Sequence, residues 1–361
     1  MTRLFVSAGE PSGDAHGAAV VRAIRHACPD AEVEGIGGPK MAAAGVELVG
    51  HIDSLSVMGL VEGIKTLPSH ARLLRAFRER ASRRVYNAVL LIDYPGLHLR
   101  LASVASTRGL PVVYYIAPQV WAWGRGRLKH LRQYVRHLAV VLPFEQAFFA
   151  QHGIASTFVG HPLLDGARGP DRSSARQSLG LAPDAQVVAV FPGVRDSERR
   201  RLWPVFLETV RRLQHDLPRL EPVIAGTVAH DEMRVASPAQ ALAAADACLC
   251  KSGTTTLEAA LADRPMVVAY RMNPVTYAVA RWTVQVPHVS LVNLVAGRQV
   301  VPEFLQADAT PVALARELLT LLEPNGSASR AQRAGFSAVR GNLGRPGAAH
   351  RVASLTLEHA A

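Results

Sequence analysis

Short apolar runs alternate with stretches of helical spacing along almost the whole chain, and Pro or Gly marks most of the joints. The apolar runs of the first half are residues 3–8, 86–93, 111–116 and 137–142, and those of the second half are 187–191, 222–225, 247–251 and 265–270. After residue 311 the spacing is helical to the end. Apolar runs of this length are typical of buried strands, and their alternation with helices predicts βαβ units around parallel sheets.

A segment rich in Pro, Gly, Ser and charge, residues 162–186, separates the two series and predicts a linker with one short helix. A length of 361 residues also favours two domains, since a domain takes about 150 residues. We therefore predict an α/β protein with an N-terminal domain over 1–165 and a C-terminal domain over 183–340. A helix near 345–361 is expected to pack back on the first domain. Ligands bind at the carboxyl ends of parallel strands, so we expect an interdomain cleft.

Charge and cysteine usage limit the classes of function. Lys and Arg number 40 against 29 Asp and Glu, a formal net charge of +11, and all but four of these cations are arginine. Arginine suits planar contacts to phosphate or carboxylate, although a codon bias towards Arg and Ala explains the excess equally well. Three cysteines exclude a disulfide scaffold, and the 14 histidines form no HExxH, so we expect no metal site.

Targeting and cofactor signals are not found in the sequence. No apolar run approaches the roughly 18 residues of a membrane span, and the apolar stretch at 4–6 is too short for a signal-peptide core. We therefore expect a cytoplasmic protein with affinity for anionic membrane surfaces or phosphorylated ligands. Neither GxxxxGKS/T nor GxGxxG occurs, so no P-loop and no dinucleotide cofactor is predicted.

Two loops that follow predicted strands in the first half of the chain carry acidic residues that are candidates for a functional site. Residues 7–14, SAGEPSGD, place Glu10 and Ser12 between a strand and a helix, where they could bind an acceptor. The alternative is an ordinary turn with a polar helix cap. Residues 90–96, LLIDYPG, end a strand in Asp93. A carboxylate at that edge of a sheet suits a general base, although Asp before Tyr-Pro is also typical of a turn.

A loop in the second half predicts an anion site. Residues 190–198, VFPGVRDSE, place Arg195 at the start of a helix. The guanidinium and the helix N-terminus both attract negative charge, so Arg195 could stabilise a departing diphosphate. Alternatively, Arg195 pairs with Glu198 on a solvated helix face.

A second loop of that half has the most informative spacing in the chain. Residues 251–258, KSGTTTLE, follow a strand, and the turn of Ser252, Gly253 and Thr254 opens a helix as a phosphate cradle. Glu258 lies one turn into that helix, where a carboxylate can bind both hydroxyls of a ribose. The alternative is a well-capped helix with an exposed Glu.

Residues 67–84 predict a basic amphipathic helix, with Leu67, Leu74 and Phe77 opposite six arginines. Such a helix could touch a membrane surface and accept acyl chains. The alternative is a helix that packs on its domain and leaves a solvated Arg face.

Trp121 and Trp123 precede a second basic stretch, residues 125–136. Aromatic rings beside arginines can stack on bases, but two Trp separated by one Ala are more often packed into a seam. A nucleic-acid partner would depend on these arginines and on the net charge alone, so we do not predict one.

Together these strings resemble the lipid-A-disaccharide synthase family, inverting glycosyltransferases of the two-domain GT-B architecture. The matching segments are AGEPSGD (8–14), GIGGPKMAAAG (35–45), VMGLVE (57–62), LIDYP (91–95), APQVWAW (117–123), LPFE (142–145), VGHPLLD (159–165), FPGVR (191–195), SGTTTLE (252–258), VVAYRMNP (267–274) and VSLVNLVAGR (289–298). They follow the family's order over nearly the whole chain. VWAW, YRM and SLxNLxAGR are specific to the family, whereas SGTxxLE is shared among UDP-sugar enzymes.

The resemblance implies two Rossmann-like domains and a reaction without a metal or other cofactor. UDP-2,3-diacylglucosamine would donate its sugar to 2,3-diacylglucosamine 1-phosphate, giving a β-1,6-linked lipid A disaccharide phosphate and UDP. The implied roles are Asp93 as the base, Arg195, Ser252, Gly253 and Thr254 for the diphosphate, Glu258 for the ribose, Asn293 near Arg271 for the donor, and Glu10, Ser12, Met58 and Gly59 for the acceptor. The basic surface would contact the acceptor phosphate and the anionic cytoplasmic face of the inner membrane; a homodimer is left open.

The chain departs from the family pattern at three places. Gly96 stands where the family motif IDxPDFN has a second carboxylate, and Val194 stands where the motif PGSR has a serine hydroxyl. The stretch 225–241 is shorter than is usual in the family. These departures leave open a catalytically weakened UDP-sugar-binding relative at the membrane. Another UDP-sugar enzyme, such as a UDP-N-acetylglucosamine 2-epimerase, would explain SGTTTLE but not VWAW, YRM or SLVNL.

Overall fold

The computed structural model describes residues 1–55, 67–83, 86–166, 169–193, 195–226, 233–273, 277 and 286–361. The chain forms two compact units, Met1–Gly166 with Leu343–Ala361, and Ala167–Asn342. Each unit has its own parallel sheet and its own hydrophobic core, which confirms the predicted α/β class. Among the described helices, none is long and apolar enough to span a membrane.

The first unit is built on a parallel sheet. Its strands within the described residues are β1 (Arg3–Ala8), β2 (Glu32–Gly37), β3 (Glu47–His51), β4 (Ala88–Ile92), β5 (Val112–Tyr115), β6 (His137–Val140) and β7 (Ser156–Phe158). Their order is β3-β2-β1-β4-β5-β6-β7, so the chain changes direction between β1 and β4. Ala8 at the end of β1 pairs with Ile92 at the end of β4. Open α/β sheets bind ligands at such a switch point.

Helices cover both faces of this sheet and start where the sequence supplies start signals. They are α1 (Pro11–Ala27), α2 (Pro39–Ala43), α3 (Leu67–Arg83), α4 (Pro95–Ser106), α5 (Arg127–Tyr134) and α6 (Glu145–Gln151). Proline opens α1, α2 and α4, where its missing N–H costs no helical hydrogen bond. Strands β1 and β4 are buried almost throughout, as expected for a parallel sheet with two covered faces.

Helix α3 packs its apolar side on the core of the first unit. Phe77 is fully buried, and its ring centroid lies 4.5 Å from that of Phe5. Leu74 packs on the same core. Because Phe77 is enclosed by the protein itself, it is unable to insert into a membrane, and the interpretation of this residue as a lipid contact is wrong. Arg72 and Arg78 are exposed, so α3 packs on its domain through its apolar side and presents these arginines to solvent.

The second unit repeats the architecture. Its described strands are β8 (Gln186–Phe191), β9 (Leu220–Ala225), β10 (Arg234–Ala236), β11 (Ala247–Lys251), β12 (Met266–Tyr270) and β13 (Glu303–Leu305), and its helices are α7 (Arg172–Ser178), α8 (Asp196–Asp216), α9 (Pro238–Ala244), α10 (Thr254–Leu261), α11 (Leu291–Ala296), α12 (Pro311–Leu322) and α13 (Ser327–Asn342). The strand order is β10-β9-β8-β11-β12-β13, all parallel. Its switch point lies between β8 and β11, where Phe191 pairs with Cys250.

The last helix, α14 (Ala348–Ala360), belongs to the first unit and packs on α1. Asp165 holds its start, because its carboxylate accepts hydrogen bonds from the backbone N of Gly347 at 2.5 Å and of Ala349 at 3.3 Å. Nε of Arg351 donates to the backbone oxygen of Val159 at 2.8 Å. These contacts fix the end of the chain to the unit in which the chain begins.

Candidate active site

The loop after β1 lies against the turn after β4. A Cβ built on Gly9 would come within 2.1 Å of Cγ of Tyr94, so only glycine allows the two loops to meet. Glu10 and Ser12 follow and are exposed at this edge. Burial, and next the charge of Glu10, raise the pKa of Tyr94, which puts the Glu10 carboxylate near that phenol. The fold thus brings Glu10 and Asp93 to one edge of the first sheet.

Asp93 and Tyr94 form a left-handed turn at the end of β4. Their φ angles are 52° and 48°, in a region that costs non-glycine residues about 1–3 kcal/mol each. The backbone oxygen of Asp93 accepts two hydrogen bonds, from Nδ1 of His98 at 2.5 Å and from the hydroxyl of Tyr114 at 2.6 Å. The turn that carries the predicted base is therefore held by two side chains that the sequence reasoning missed.

The partners of His98 determine its protonation state. A backbone carbonyl only accepts, so Nδ1 of His98 donates to Asp93, and Nε2 accepts from the hydroxyl of Ser7 at 2.9 Å. Burial lowers the pKa of His98 to about 4, so this neutral tautomer persists at neutral pH. In the sequence, neither His98 nor Tyr114 stands out, because α4 carries other polar residues and β5 ends in two tyrosines.

Asp14 joins two of the family-like strings and binds the protein's own backbone. Its Oδ1 accepts from the backbone N of Gly38 at 2.7 Å and of Met41 at 3.0 Å, and its Oδ2 accepts from that of Lys40 at 3.0 Å. Asp14 is buried and provides the start of α2 with hydrogen-bond acceptors. The aspartate of AGEPSGD therefore has a structural role.

Trp121 and Glu145 join the strings APQVWAW and LPFE. Nε1 of Trp121 donates to one carboxylate oxygen of Glu145 at 3.0 Å, and the other oxygen accepts from two backbone N–H groups of the preceding loop. Burial raises the pKa of Glu145 to about 7 in spite of these bonds. Trp123 differs, being 53% exposed with the Arg127 guanidinium 4.6 Å from its ring centroid. Trp121 is thus packed inside the first unit.

In the second unit two cations meet one carboxylate near the ends of β8 and β11. Nζ of Lys251 lies 3.0 Å from Oε1 of Glu198, and Nη1 of Arg195 lies 3.8 Å from the same oxygen. The side chains of Lys251 and Glu198 are largely buried, whereas that of Arg195 is 59% exposed. The Arg195–Glu198 contact foreseen as an alternative is present, and in the part of the chain that the structure describes the two cations share this one carboxylate. The sequence reasoning missed Lys251 and Glu198 as charges of the site.

Helices α8 and α10 both begin at this edge of the second sheet. Arg195 is the N-cap of α8 and Gly253 that of α10, and neither supplies a side-chain acceptor to the first turn. First-turn N–H groups without such acceptors, together with the helix dipole, favour anions. A Cβ built on Gly253 would lie 3.5 Å from Nζ of Lys251, so the ammonium group adjoins the start of α10.

The remaining residues of the KSGTTTLE loop lie around that helix start. The hydroxyl of Ser252 donates to the backbone oxygen of Val289 at 2.8 Å, and its backbone N donates to the backbone oxygen of Ala269 at 3.1 Å, so both donors of Ser252 are engaged within the protein. Thr254 is exposed. Glu258 is half-buried one turn further on, and burial raises its pKa. The fold therefore groups these predicted residues with Arg195 at one edge of the second sheet.

Asn293 and Arg271 bind the protein's own backbone. The Asn293 amide donates to the backbone oxygen of Val301 at 2.9 Å and to Glu303 at 2.7 Å, and it accepts from the backbone N of Val300 and of Val301. All four of its hydrogen-bonding positions are thus in use. The guanidinium of Arg271 donates to two backbone oxygens of the segment 306–309. This geometry favours a supporting role for both over the direct donor contact that the resemblance implies.

Several predicted features lie outside the described residues. They are Met58 and Gly59 of the acceptor prediction, Val194 of the diphosphate loop, and residues 227–232 of the shortened stretch.

Comparisons with known proteins cover both units. The family model for lipid-A-disaccharide synthetase matches residues 4–345. The lipid-A-disaccharide synthase of Myxococcus xanthus (strain DK1622) is 38% identical over 372 residues, covering 99% of this chain and 97% of the relative.

Solved structures show the fold. Arabidopsis thaliana UGT89C1 complexed with quercetin matches with a TM-score of 0.68 at 12% identity over 99% of both chains. The UDP-GlcNAc 2-epimerase of Neisseria meningitidis bound to UDP-GlcNAc matches with a TM-score of 0.64 at 10% identity over 99% of both chains. At these identities the likeness extends to the fold alone, and it confirms two Rossmann-like domains of the GT-B type. Matched by the family model over almost its whole length, the chain belongs to the lipid-A-disaccharide synthase family.

Proposed function

We propose that this protein is an inverting glycosyltransferase of lipid A biosynthesis. It transfers the sugar of UDP-2,3-diacylglucosamine to 2,3-diacylglucosamine 1-phosphate and releases the β-1,6-linked disaccharide 1-phosphate and UDP. The observation that carries the proposal is the family match over residues 4–345, which covers most of both units and every residue given a role below.

Asp93 is the proposed general base. It follows β4 at the switch point of the first sheet, in a turn held by two buried side chains. Its carboxylate takes the proton of the acceptor 6-hydroxyl while that oxygen attacks C1 of the donor sugar from the face opposite UDP. A single displacement inverts C1 and forms no covalent intermediate with the enzyme. Glu10 and Ser12, exposed at the same edge, contact the acceptor sugar.

Arg195 and Lys251 offset the charge that develops on UDP as its bond to C1 breaks. Both are held by Glu198, and the N-termini of α8 and α10 add backbone N–H groups at the same edge. Fixed donors and charges of this kind stabilise a leaving group without reorganising during the reaction. Glu258 accepts hydrogen bonds from the ribose hydroxyls. The proposal includes no metal ion and no other cofactor.

The acylated substrates lie in a membrane, and we propose that the protein attaches to its cytoplasmic face as a peripheral protein. The exposed arginines of α3 support this part of the proposal. A basic residue near an anionic bilayer contributes about 1 kcal/mol to attachment. The buried apolar side of α3 adds nothing to it.

A UDP-release assay with both lipid-linked sugars tests the proposed function. We expect UDP to form only when donor and acceptor are both present, in a one-to-one ratio with disaccharide phosphate. Conversion of the donor without acceptor would instead support an epimerase or hydrolase. UDP binding without turnover, under conditions in which a lipid-A-disaccharide synthase relative is active, would support a weakened binding protein.

A further inference from the structure

Two consecutive non-glycine residues adopt the left-handed conformation where β4 ends. Asp93 has a φ of 52° and Tyr94 a φ of 48°. Backbone strain of this kind persists only where the surrounding structure enforces it, and it is concentrated at functional sites. The structure must therefore contain groups that stabilise this turn against relaxation to an ordinary strand end.

Two such groups converge on one atom. The imidazole of His98 and the phenol of Tyr114 both donate to the backbone oxygen of Asp93, at 2.5 Å and 2.6 Å. Both side chains are fully buried, and they come from different elements, α4 and β5. Ser7, at the end of β1, orients the imidazole through the 2.9 Å contact between its hydroxyl and Nε2. Three elements thus determine the position of one carbonyl.

Both donors keep their protons at neutral pH. Burial lowers the pKa of the His98 imidazole, and its Nδ1–H therefore belongs to the neutral form. Burial, and next the charge of Asp93, raise the pKa of the Tyr114 phenol, which stays protonated. The two hydrogen bonds are therefore present throughout the pH range in which a carboxylate acts as a base.

We propose that His98 and Tyr114 are positioning residues for the transfer reaction. By fixing the backbone oxygen of Asp93, they hold the turn in the conformation that directs the Asp93 carboxylate to the acceptor hydroxyl. This inference rests on the proposed function, because it takes Asp93 as the base. Neither side chain touches a substrate, so each acts on the rate of the chemical step through Asp93 alone.

Tyr114→Phe is the most direct test, because it removes one hydroxyl and leaves the shape of the core unchanged. We expect kcat to fall by about five- to tenfold, since a 1 Å misplacement of a reacting group costs up to about a hundredfold. KM for the donor and the Kd for UDP should stay within about twofold, because the residues proposed to bind the donor belong to the second unit. Tyr115→Phe, one residue along the same strand, is the matched control and should keep the wild-type kcat.

His98→Leu and His98→Asn extend the test to the second donor. The leucine removes the N–H, and kcat should fall at least as far as in Tyr114→Phe. The asparagine restores an N–H donor and should recover part of the loss. Thermal unfolding of each variant checks that it is folded at the assay temperature.

A double-mutant cycle separates positioning from a general loss of structure. In an Asp93→Asn background, Tyr114→Phe should leave the residual transfer rate unchanged, because there is no base to position. If Tyr114→Phe lowers that residual rate by the wild-type factor, or if Tyr115→Phe lowers kcat equally, the positioning role is overturned. If Asp93→Asn is inactive while the variants at positions 98 and 114 keep the wild-type kcat, this inference alone fails. If Asp93→Asn keeps the wild-type rate, the base of the proposed function fails and the inference with it.

Discussion

The ammonium group of Lys251 lies 3.0 Å from Oε1 of Glu198, and both side chains are largely buried. The same oxygen lies 3.8 Å from the guanidinium of Arg195. Glu198 therefore holds two cations at the edge of the second sheet before an anion arrives. Charges that are in place in advance stabilise a diphosphate at little cost in reorganisation.

We predict that Lys251→Met weakens UDP binding by about tenfold or more, because a hydrogen bond to a charged group contributes about 1.5–3 kcal/mol. Lys251→Arg keeps the charge and should bind UDP within about threefold of wild type. Isothermal titration calorimetry measures both affinities. Uridine, which has no phosphate, is the internal control and should bind all three proteins equally. Equal UDP affinity of wild type and Lys251→Met would rule out a contact between Lys251 and the diphosphate.

Stability should fall on mild acidification because two buried histidines are neutral in the folded protein. Burial lowers the pKa of both His98 and His161 to about 4, from an ordinary value of 6.5. Between these two pH values the unfolded chain binds more protons than the folded protein. The contribution of each histidine to the free energy of unfolding is therefore fully present above pH 6.5 and is lost as the pH falls towards 4. The loss approaches about 3 kcal/mol for each histidine.

Urea unfolding at pH 7.5 and pH 5 measures this effect. His98→Asn should show a smaller difference between the two pH values than wild type. His26 is exposed, so His26→Gln serves as the control and should keep the wild-type difference. The account of His98 as a buried neutral group is wrong if His98→Asn shows the same pH dependence as His26→Gln.

Gly96 gives the third prediction. It lies in the first turn of α4, and among the described residues a Cβ built there would meet only Cε1 of His70, at an ordinary 3.8 Å. Gly96→Ala should therefore raise the free energy of unfolding by about 0.5–1 kcal/mol, and Gly96→Asp by a similar amount through the helix dipole.

Gly109 is a matched control for this substitution. No described residue lies within 4 Å of a Cβ built on Gly109, but its φ of +75° disfavours any side chain. Gly109→Ala should lower the free energy of unfolding by about 1 kcal/mol. Denaturant unfolding of the variants measures these differences. A lower free energy of unfolding for Gly96→Ala than for wild type would contradict a helical first turn of α4 with room for a Cβ at position 96.

The fourth prediction concerns the attachment of α3 to membranes. Reversing the charge of Arg72 and Arg78 to Glu should release the protein from vesicles rich in anionic lipid, by about tenfold in partitioning. Reversing Arg330 and Arg333, which are exposed on the second unit, is the control and should have a smaller effect. Phe77→Ala, by contrast, should lower the free energy of unfolding by about 3–5 kcal/mol, because Phe77 belongs to the core of the first unit. Vesicle sedimentation in low salt measures partitioning, and unchanged binding of the Arg72 and Arg78 variant would exclude α3 as the contact.

The strands that the sequence predicts are those whose burial coincides with a run of mostly apolar residues, such as β1, β4, β8 and β11. Strand β2 has the sequence EVEGIG and was not predicted. Its Glu34 is buried because Oε2 accepts from the hydroxyl of Tyr86 at 2.6 Å and pairs with Arg80 at 3.3 Å. Those partners are 52 and 46 residues away, so no local pattern indicates that a glutamate can be buried there.

The candidate site is likewise predicted only where its residues follow recognisable strands. Asp93 and Arg195 follow predicted strands, and the sheet-edge rule is sufficient to select them. His98 and Tyr114 act through partners that only the folded chain brings near, so no motif marks them, and Lys251 stands in the KSGTTTLE loop but meets Glu198 only in the folded chain. Their roles depend on three-dimensional contacts rather than on residue type.

The rate of sugar transfer by Asp93→Asn, measured with radiolabelled donor and the diacylglucosamine phosphate acceptor, tests the central claim most directly. The account predicts a loss of about a hundredfold or more in kcat, typical for removal of a general base, with the UDP affinity within about twofold of wild type. Asp30→Asn, an exposed residue of the same unit, should be as active as wild type. A transfer rate for Asp93→Asn equal to that of wild type would contradict the account.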